Sequence, residues 1–461
     1  NILQSYLNYL QKNSSNVITT IVQKVSSTAT ALCSLLILIG SGILGIFIIG
    51  SLLIIDWKVI FIGICFLTFY YLIVYKKVSK FLSNNGKLIA SLAPKRLRIM
   101  QEVFQGYRDI FVNRTQGIYI KMFNDVDSEY KFILAKTNFI KVFPRYFIEG
   151  FVVIVLILLG YSISYLNIDI YALLPLFGSA LYALQKILPL IQLIFATIAD
   201  YKVRYSSILD VLKELELNNK NKQFNNRSNH NLSFKKSIEF RNIYFGYEKS
   251  NFILKNINFK INKGEHIGIF GQTGSGKSTL LDIMIGLLPP SKGEIFVDDI
   301  SLYGDNSNYN WITKISCVSQ NIFLKEGTIA ENIAYGQSPK EFNFELLERA
   351  SRIAQIYEFI NQTDMGFETN VGERGIRLSG GQRQRITIAR AIYHAREILV
   401  LDEATSALDE VTEEKIISGI KRNSNLTILM VTHRLSSLGI CDRLFTVKNN
   451  KLIEKAKNEL I

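Results

Sequence analysis

Residues Gly271 to Leu280 read GQTGSGKSTL. A glycine, four residues and then Gly276, Lys277 and Ser278 is the spacing by which a loop turns backbone N–H groups onto phosphate oxygens. The flanks suit that use. HIGIF, His266–Phe270, reads as a short buried strand, and TLLDIMIGLL, Thr279–Leu288, reads as a helix. A helix N-terminus behind such a loop favours an anion. Lys277 would neutralise the β- and γ-phosphates of a nucleotide, and Ser278 would ligate Mg²⁺. Gln272, Thr273, Gly274, Ser275 and Thr279 complete the stretch expected to touch the phosphates.

A second stretch supplies acids. ILVLDEATSALD runs from Ile398 to Asp409, and LSGGQRQR, Leu378–Arg385, lies just before it. An apolar strand ending in Asp402 and Glu403 places two carboxylates at the mouth of a phosphate site. Asp402 can hold Mg²⁺ through water, and Glu403 can accept a proton from an attacking water.

These residues need elements to position them. From Ser237 onward strands alternate with helices: SIEFRNIYFGY alternates, and HIGIF, ILVL and LTILMV are short buried runs. That pattern predicts an α/β nucleotide-binding domain over 237–461.

The first half of the chain is of another kind. Ala31–Ile55 contains no charge, and its 25 residues make a helix of roughly 37 Å, long enough to cross a bilayer. Asp56 and Trp57 interrupt the run. Further spans are expected at 59–75, 150–166 and 171–198, with a tight turn at Asn167–Asp169. Residues 76–146 have helical apolar spacing among many charges and read as helices outside the membrane, with a turn near Thr115–Gly117. Lysine and arginine crowd this segment and are scarce in the short turns, which puts it on the cytoplasmic side. Residues 217–236, rich in Asn and Lys, read as a linker, so 1–216 is expected to be a transmembrane domain.

The 461 residues are 48% hydrophobic, with a formal net charge of +14 and a mean hydropathy of +0.17. The cytoplasmic segment accounts for much of the positive charge without a nucleic-acid partner. Cys33, Cys65, Cys317 and Cys441 form no CxxC pair, which leaves neither a disulfide framework nor a metal site expected.

With LSGGQ between the phosphate loop and the paired acids, the chain resembles a half-transporter of the ATP-binding-cassette (ABC) family, exporter type. The resemblance implies a helical transmembrane domain followed by an α/β P-loop cassette, with ATP and Mg²⁺ as cofactors. It also assigns residues. Tyr247, in YFGY, matches the aromatic that stacks on adenine. Gln320, in CVSQNIFL, matches a glutamine that contacts Mg²⁺. Ser379, Gly380, Gly381 and Gln382 match the signature that meets the γ-phosphate of ATP held by a second subunit. His433, in VTHRLS, matches the histidine that contacts the γ-phosphate, and Asp409 ends a loop at the dimer interface. His230, His266 and His394 match no motif.

Since one cassette supplies only half of each site, the resemblance implies a homodimer. TNVGERG, Thr369–Gly375, resembles a stretch typical of exporters, and Val112–Phe123 fits the position of a coupling helix. Exporter halves have six spans, and four are visible here; the absent two correspond to the first pair, so the sequence reads as a piece of a longer chain. LSNNGKLIASLAPKRLRIMQEVFQGYRDI and FPRYFIEG resemble the group that includes bacterial lipid-linked oligosaccharide flippases. The expectation is ATP-driven export or flipping of a lipid-linked or amphipathic substrate across a bacterial inner membrane, with the cassette in the cytoplasm. Membrane lipid and a second copy of the chain are the expected partners. Export of another lipid or of a peptide is the alternative; a soluble ABC ATPase acting on nucleic acid fits poorly with four spans. Lys186, in LYALQKILPLIQ, lies within the last span, where it is expected to snorkel to the headgroups, pair with an acid, or attract an anionic cargo.

Overall fold

The computed structural model describes residues 6–10, 13–55, 57–165, 170–225, 233–248, 251–303, 309–422, 426–434 and 436–457. The chain divides into two compact units, whose larger parts are Asn8–Asn221 and Lys222–Ile461.

The first unit is helical. Ser14–Thr19, capped by Asn13, passes through a π-turn at Thr20–Lys24 into Val25–Ile55. Trp57–Gln105, Tyr107–Val112, Gln116–Tyr165 and Ile170–Asn225 follow. Among the described residues, Ser14–Ser51 and Phe61–Gln105 are long and apolar enough to cross a membrane. The expected third and fourth spans fall on the Gln116–Tyr165 and Ile170–Asn225 helices; Leu166 and the turn at Asn167–Asp169 lie outside the described residues. Leu67, Tyr71, Ile148, Ile187, Leu188 and Phe195 form a small core, while Leu36, Phe47 and Ile62 face outward. Apolar side chains on both faces of a helix are what lipid surroundings accept and water does not.

One expectation changes here. The stretch 217–225, read as linker, continues the Ile170–Asn225 helix. It holds Leu, Lys and Gln but no glycine or proline to stop a helix, so polarity alone was a poor terminator. A short helix, Tyr107–Val112, lies between the two long ones, and the stretch 112–123 runs from its last residue through a turn into Gln116–Tyr165. Arg114 takes φ 55°, which ends the short helix, and Gln116 opens the next.

The second unit is built on two sheets. The first is antiparallel, in the order β2-β1-β4-β5, from β1 (Ser237–Phe245), β2 (Leu254–Asn262), β4 (Lys292–Val297) and β5 (Ile300–Ser301). The second has the order β10-β9-β3-β8-β7-β6. Its strands β3 (His266–Phe270), β6 (Ile315–Val318), β7 (Ile398–Asp402), β8 (Thr427–Val431) and β9 (Arg443–Lys448) run parallel, and β10 (Lys451–Lys455) is antiparallel at the edge.

Each sequence-predicted strand run therefore lies in a sheet. One core fills the space around the helix Lys277–Ile285 and includes Phe240 stacked on Phe259 at 4.3 Å between ring centroids. The other lies beneath the helix Gly380–Tyr393, around Ile386, Leu399, Leu401 and Ile428. Parallel strands covered on both faces carry near-continuous apolar runs, and their carboxyl ends are where such sheets place ligands.

Candidate nucleotide-binding site

Strand β3 ends at Phe270, and the loop Gly271–Gly276 leads into the helix Lys277–Ile285. Gly276 caps that helix at φ 100°, and a Cβ there would lie 3.1 Å from Ile253 Cγ2. Glycine is required on both counts, backbone conformation and space. Lys277 is 6% exposed, and its Nζ donates to the carbonyls of Gly271 and Gln272, both at 2.9 Å. Burial lowers the Lys277 pKa, and the charges of Glu403 and Asp402 oppose that fall. The ammonium is thereby held inside the loop, facing two acids.

Strand β7 delivers those acids. Asp402 pairs with Val431 of β8, and the Glu403 N–H donates to the Val431 carbonyl at 2.9 Å. Glu403 sits at φ 49°, an uncommon conformation for its type, which turns it away from the strand direction. Burial first, and the Glu403 charge second, hold the Asp402 carboxyl above its ordinary pKa; Lys277 and Ser278 oppose this. On the phosphate-loop helix, Asp282 is pushed up to about 6, by burial and then by Asp402.

The sequence-assigned catalytic residues converge. Gln320 Nε2 donates to Glu403 Oε2 at 2.8 Å, and His433 Nε2 lies 2.9 Å from Glu403 Oε1. The three come from the ends of β6, β7 and β8, which are adjacent in the sheet. Tyr247 stands beside the loop helix, with its hydroxyl 3.4 Å from Thr279 Oγ1 and its ring edge-on to Phe245. At 43% exposure the ring has an open surface.

The signature residues stand apart. Ser379 caps the helix Gly380–Tyr393: its hydroxyl accepts from the Gln382 N–H at 3.2 Å, and its own N–H donates to Gln382 Oε1 at 2.8 Å. Among the described residues, no hydrogen bond joins Ser379–Gln382 to Gly271–Thr279. A Cβ on Gly381 would lie 3.3 Å from the Ala407 carbonyl, so the helix start abuts the loop that ends at Asp409.

Sequence reasoning missed the residues that tie these parts together. Gln384 Nε2 donates to the Glu403 carbonyl at 3.1 Å, and its Oε1 accepts from the Ala407 N–H at 2.8 Å. Arg434 donates to the carbonyls of Ser406 and Leu408 and to Glu413 Oε2. Glu413, 2% exposed, also accepts from Thr405 at 2.5 Å and from Ser437. Both Gln384 and Arg434 stand beside motif residues, in LSGGQRQR and VTHRLS, and that adjacency was their only signal.

The donor set fits Mg²⁺. Asp402 Oδ1 is buried without a hydrogen-bond partner, the Ser278 hydroxyl lies beside that carboxyl, and the Gln320 amide uses its nitrogen on Glu403. A hard, oxygen-seeking cation held by one carboxylate, one hydroxyl and nucleotide phosphates needs no all-protein cage. Consistent with this, no group of three or more His, Cys, Asp or Glu side chains gathers as a metal site among the described residues.

A glycine-rich loop on a parallel sheet, a buried lysine and a strand ending in two acids define a P-loop nucleotide-hydrolysing domain. Residues 254–406 match the family model for the ABC transporter, and the chain carries an ABC transporter ATPase domain. It is 35% identical over 344 residues to the heterocyst differentiation ATP-binding protein HepA of Nostoc sp., covering 74% of this chain and 54% of that protein. It is 40% identical over 228 residues to the ATP-dependent lipid A-core flippase of Pectobacterium atrosepticum, covering 49% of this chain and 38% of that one. The multidrug resistance-like ATP-binding protein MdlA of Buchnera aphidicola is 40% identical over 280 residues, with 59% and 46% covered. The chain thus spans about half, or less, of the length of these relatives. The solved structure of a bacterial Atm1-family ABC exporter with ATP bound superposes with a TM-score of 0.79 at 22% identity, covering 99% of this chain and 80% of that one. At that identity the likeness is one of fold.

Proposed function

We propose that the chain forms the membrane-anchored, ATP-hydrolysing part of an ABC exporter that acts as a homodimer and moves a lipid-linked or amphipathic substrate. The observation that carries the reading is Glu403, held by Gln320 on one carboxylate oxygen and His433 on the other, beside Asp402 and Lys277.

Tyr247 offers its open ring to the adenine, while the loop N–H groups and Lys277 take the phosphates. Ser278 and Asp402 would hold Mg²⁺, with Gln320 alongside; the ion supplies charge neutralisation on the β- and γ-phosphate oxygens. Glu403 takes the proton of the attacking water. Gln320 and His433 fix its carboxylate, and His433 also reaches the γ-phosphate in this reading. Such a base is worth about 10²–10⁴ in rate.

The gap between signature and phosphate loop within one chain supports a second copy as the source of the missing half-site. Phe104, Tyr107, Phe111 and Val112, all exposed around the short helix, support its use as a docking element of the helical unit. The apolar helices and the basic 76–146 segment support a bacterial inner-membrane location with the ATPase domain in the cytoplasm. The names of the relatives, a lipid A-core flippase and a multidrug resistance-like protein, favour an amphipathic cargo. Lipid-linked oligosaccharide is our specific proposal.

The test is ATPase activity of the reconstituted protein with lipid-linked oligosaccharide, lipid A core, or neither. Stimulation by the first alone supports the cargo. Stimulation by the second alone replaces it. Absence of ATPase activity in every arm removes the reading.

A further inference from the structure

Three helices of the first unit meet around a cavity of about 600 Å³ lined mostly by residues with polar or charged ends. The Trp57–Gln105 helix contributes Lys87, Ser91, Lys95 and Arg98, spaced by four, four and three residues and so on one face. The Ile170–Asn225 helix contributes Ser206, Asp210 and Lys213 with the same spacing. The N-terminal segment adds Asn16, Thr20 and Lys24. Faces that helices turn toward one another are ordinarily apolar, because burial there stabilises the packing. Here Ala90 and Pro94 are the apolar members of the lining.

Charge in the cavity is unbalanced. Its lining has five cationic side chains against Asp210 and Glu214. Lys24 pairs with Asp210 at 2.6 Å, and Arg98 with Glu102 at 2.7 Å. Lys87, Lys95 and Lys213 form no salt bridge among the described residues, which leaves a cationic surplus along roughly 16 Å of helix between Lys87 and Arg98. A smaller cavity of about 300 Å³ shares Lys24 and Ala90 and is lined by Thr19, Ser26, Ser27 and Ser207 together with Val22, Ile89 and Tyr130. Hydroxyl donors beside clustered ammonium groups are the chemistry of phosphate recognition.

We infer that this cavity binds a soluble, phosphate-bearing polyanion. Solubility follows from position and rests on the membrane reading above. The apolar run of the Trp57–Gln105 helix ends near Tyr75; Lys87 is about 18 Å beyond it and Arg98 about 34 Å beyond it. A headgroup anchored in the bilayer does not reach that depth.

The experiment uses the full chain in detergent, carrying Glu403→Gln and saturated with ATP so that the nucleotide site is filled. Inorganic tripolyphosphate is the probe, titrated by calorimetry. Saturable binding that weakens about tenfold or more in Lys87→Gln/Lys95→Gln, and at raised salt, is expected. Asp210→Asn, which removes an acid and frees Lys24, is expected to tighten binding. These lysines are exposed, and an unchanged melting temperature shows that the double variant is folded. Binding indifferent to both substitutions, or none at millimolar probe, overturns the inference. So does binding to vesicles of anionic phospholipid with no response to tripolyphosphate. Each outcome is read independently of transport, so failure here leaves the exporter reading standing, and failure of transport leaves this one.

Discussion

His433 Nε2 stands 2.9 Å from Glu403 Oε1. A contact at that distance is within hydrogen-bond range and holds one carboxylate oxygen in place. With Gln320 on the other oxygen, the Glu403 carboxylate is fixed in rotation by side chains at the ends of the two neighbouring strands. Substituting Glu403→Gln keeps size and removes the proposed base. ATP binding is expected to persist while single-turnover hydrolysis falls about 10²–10⁴-fold. His433→Ala, which frees one oxygen, should cost less. Near-normal turnover in Glu403→Gln would take the base role from this residue.

Tyr247 is expected to contribute to ground-state binding of the base. Tyr247→Phe should leave the ATP KM near that of the parent, because the ring is kept. Tyr247→Ala should raise KM about 5–100-fold with kcat little changed, the range a stacked base is worth. A fall in kcat at constant KM would assign the ring to the chemistry instead.

The separation of Ser379–Gln382 from the phosphate loop leads to a complementation test. One subunit carries Lys277→Ala and the other Gly381→Asp, so one composite site holds both defects and its twin holds none. Mixed dimers should hydrolyse ATP faster than either mutant homodimer. Verified heterodimers with no recovery would count against sites shared between subunits.

Asp282 links stability to pH. Its folded pKa, about 6, exceeds the ordinary 3.8, so the folded state holds a proton that the unfolded state has lost. Its contribution is fully present below pH 4 and is lost as pH rises through 6. Asp282→Asn should therefore raise the nucleotide-free stability at pH 8 by about 1–2 kcal/mol after solvent screening, read as a higher melting temperature, and do little at pH 4. An equal gain at both pH values would point to packing rather than charge.

Lys186 is exposed, with Nζ 5.8 Å from the Tyr182 ring centroid. If it draws an anionic cargo, Lys186→Gln should lower cargo-stimulated ATPase more than basal ATPase, and Lys186→Arg should keep much of the stimulation. Equal loss of both rates leaves it a structural residue.

The sequence by itself determined the loop, the acids and the strands that carry them. Gly276-Lys277-Ser278 and Asp402-Glu403 are each contiguous, so their local order already states which groups will be adjacent. Apolar runs in the parallel strands and the long helices were legible because burial and lipid demand near-continuous hydrophobicity. The tertiary structure decided what depends on neighbours distant in the chain. Gln320, Glu403 and His433 are brought into hydrogen-bond range only because β6, β7 and β8 lie side by side. The links through Gln384 and through Arg434 and Glu413 arise from side chains without a spacing of their own, and the cationic cavity from three separate stretches that the fold brings together. The continuation of the last long helix to Asn225 belongs with these: a polar run free of glycine and proline states that a segment is solvated, and leaves open whether it is helix or coil.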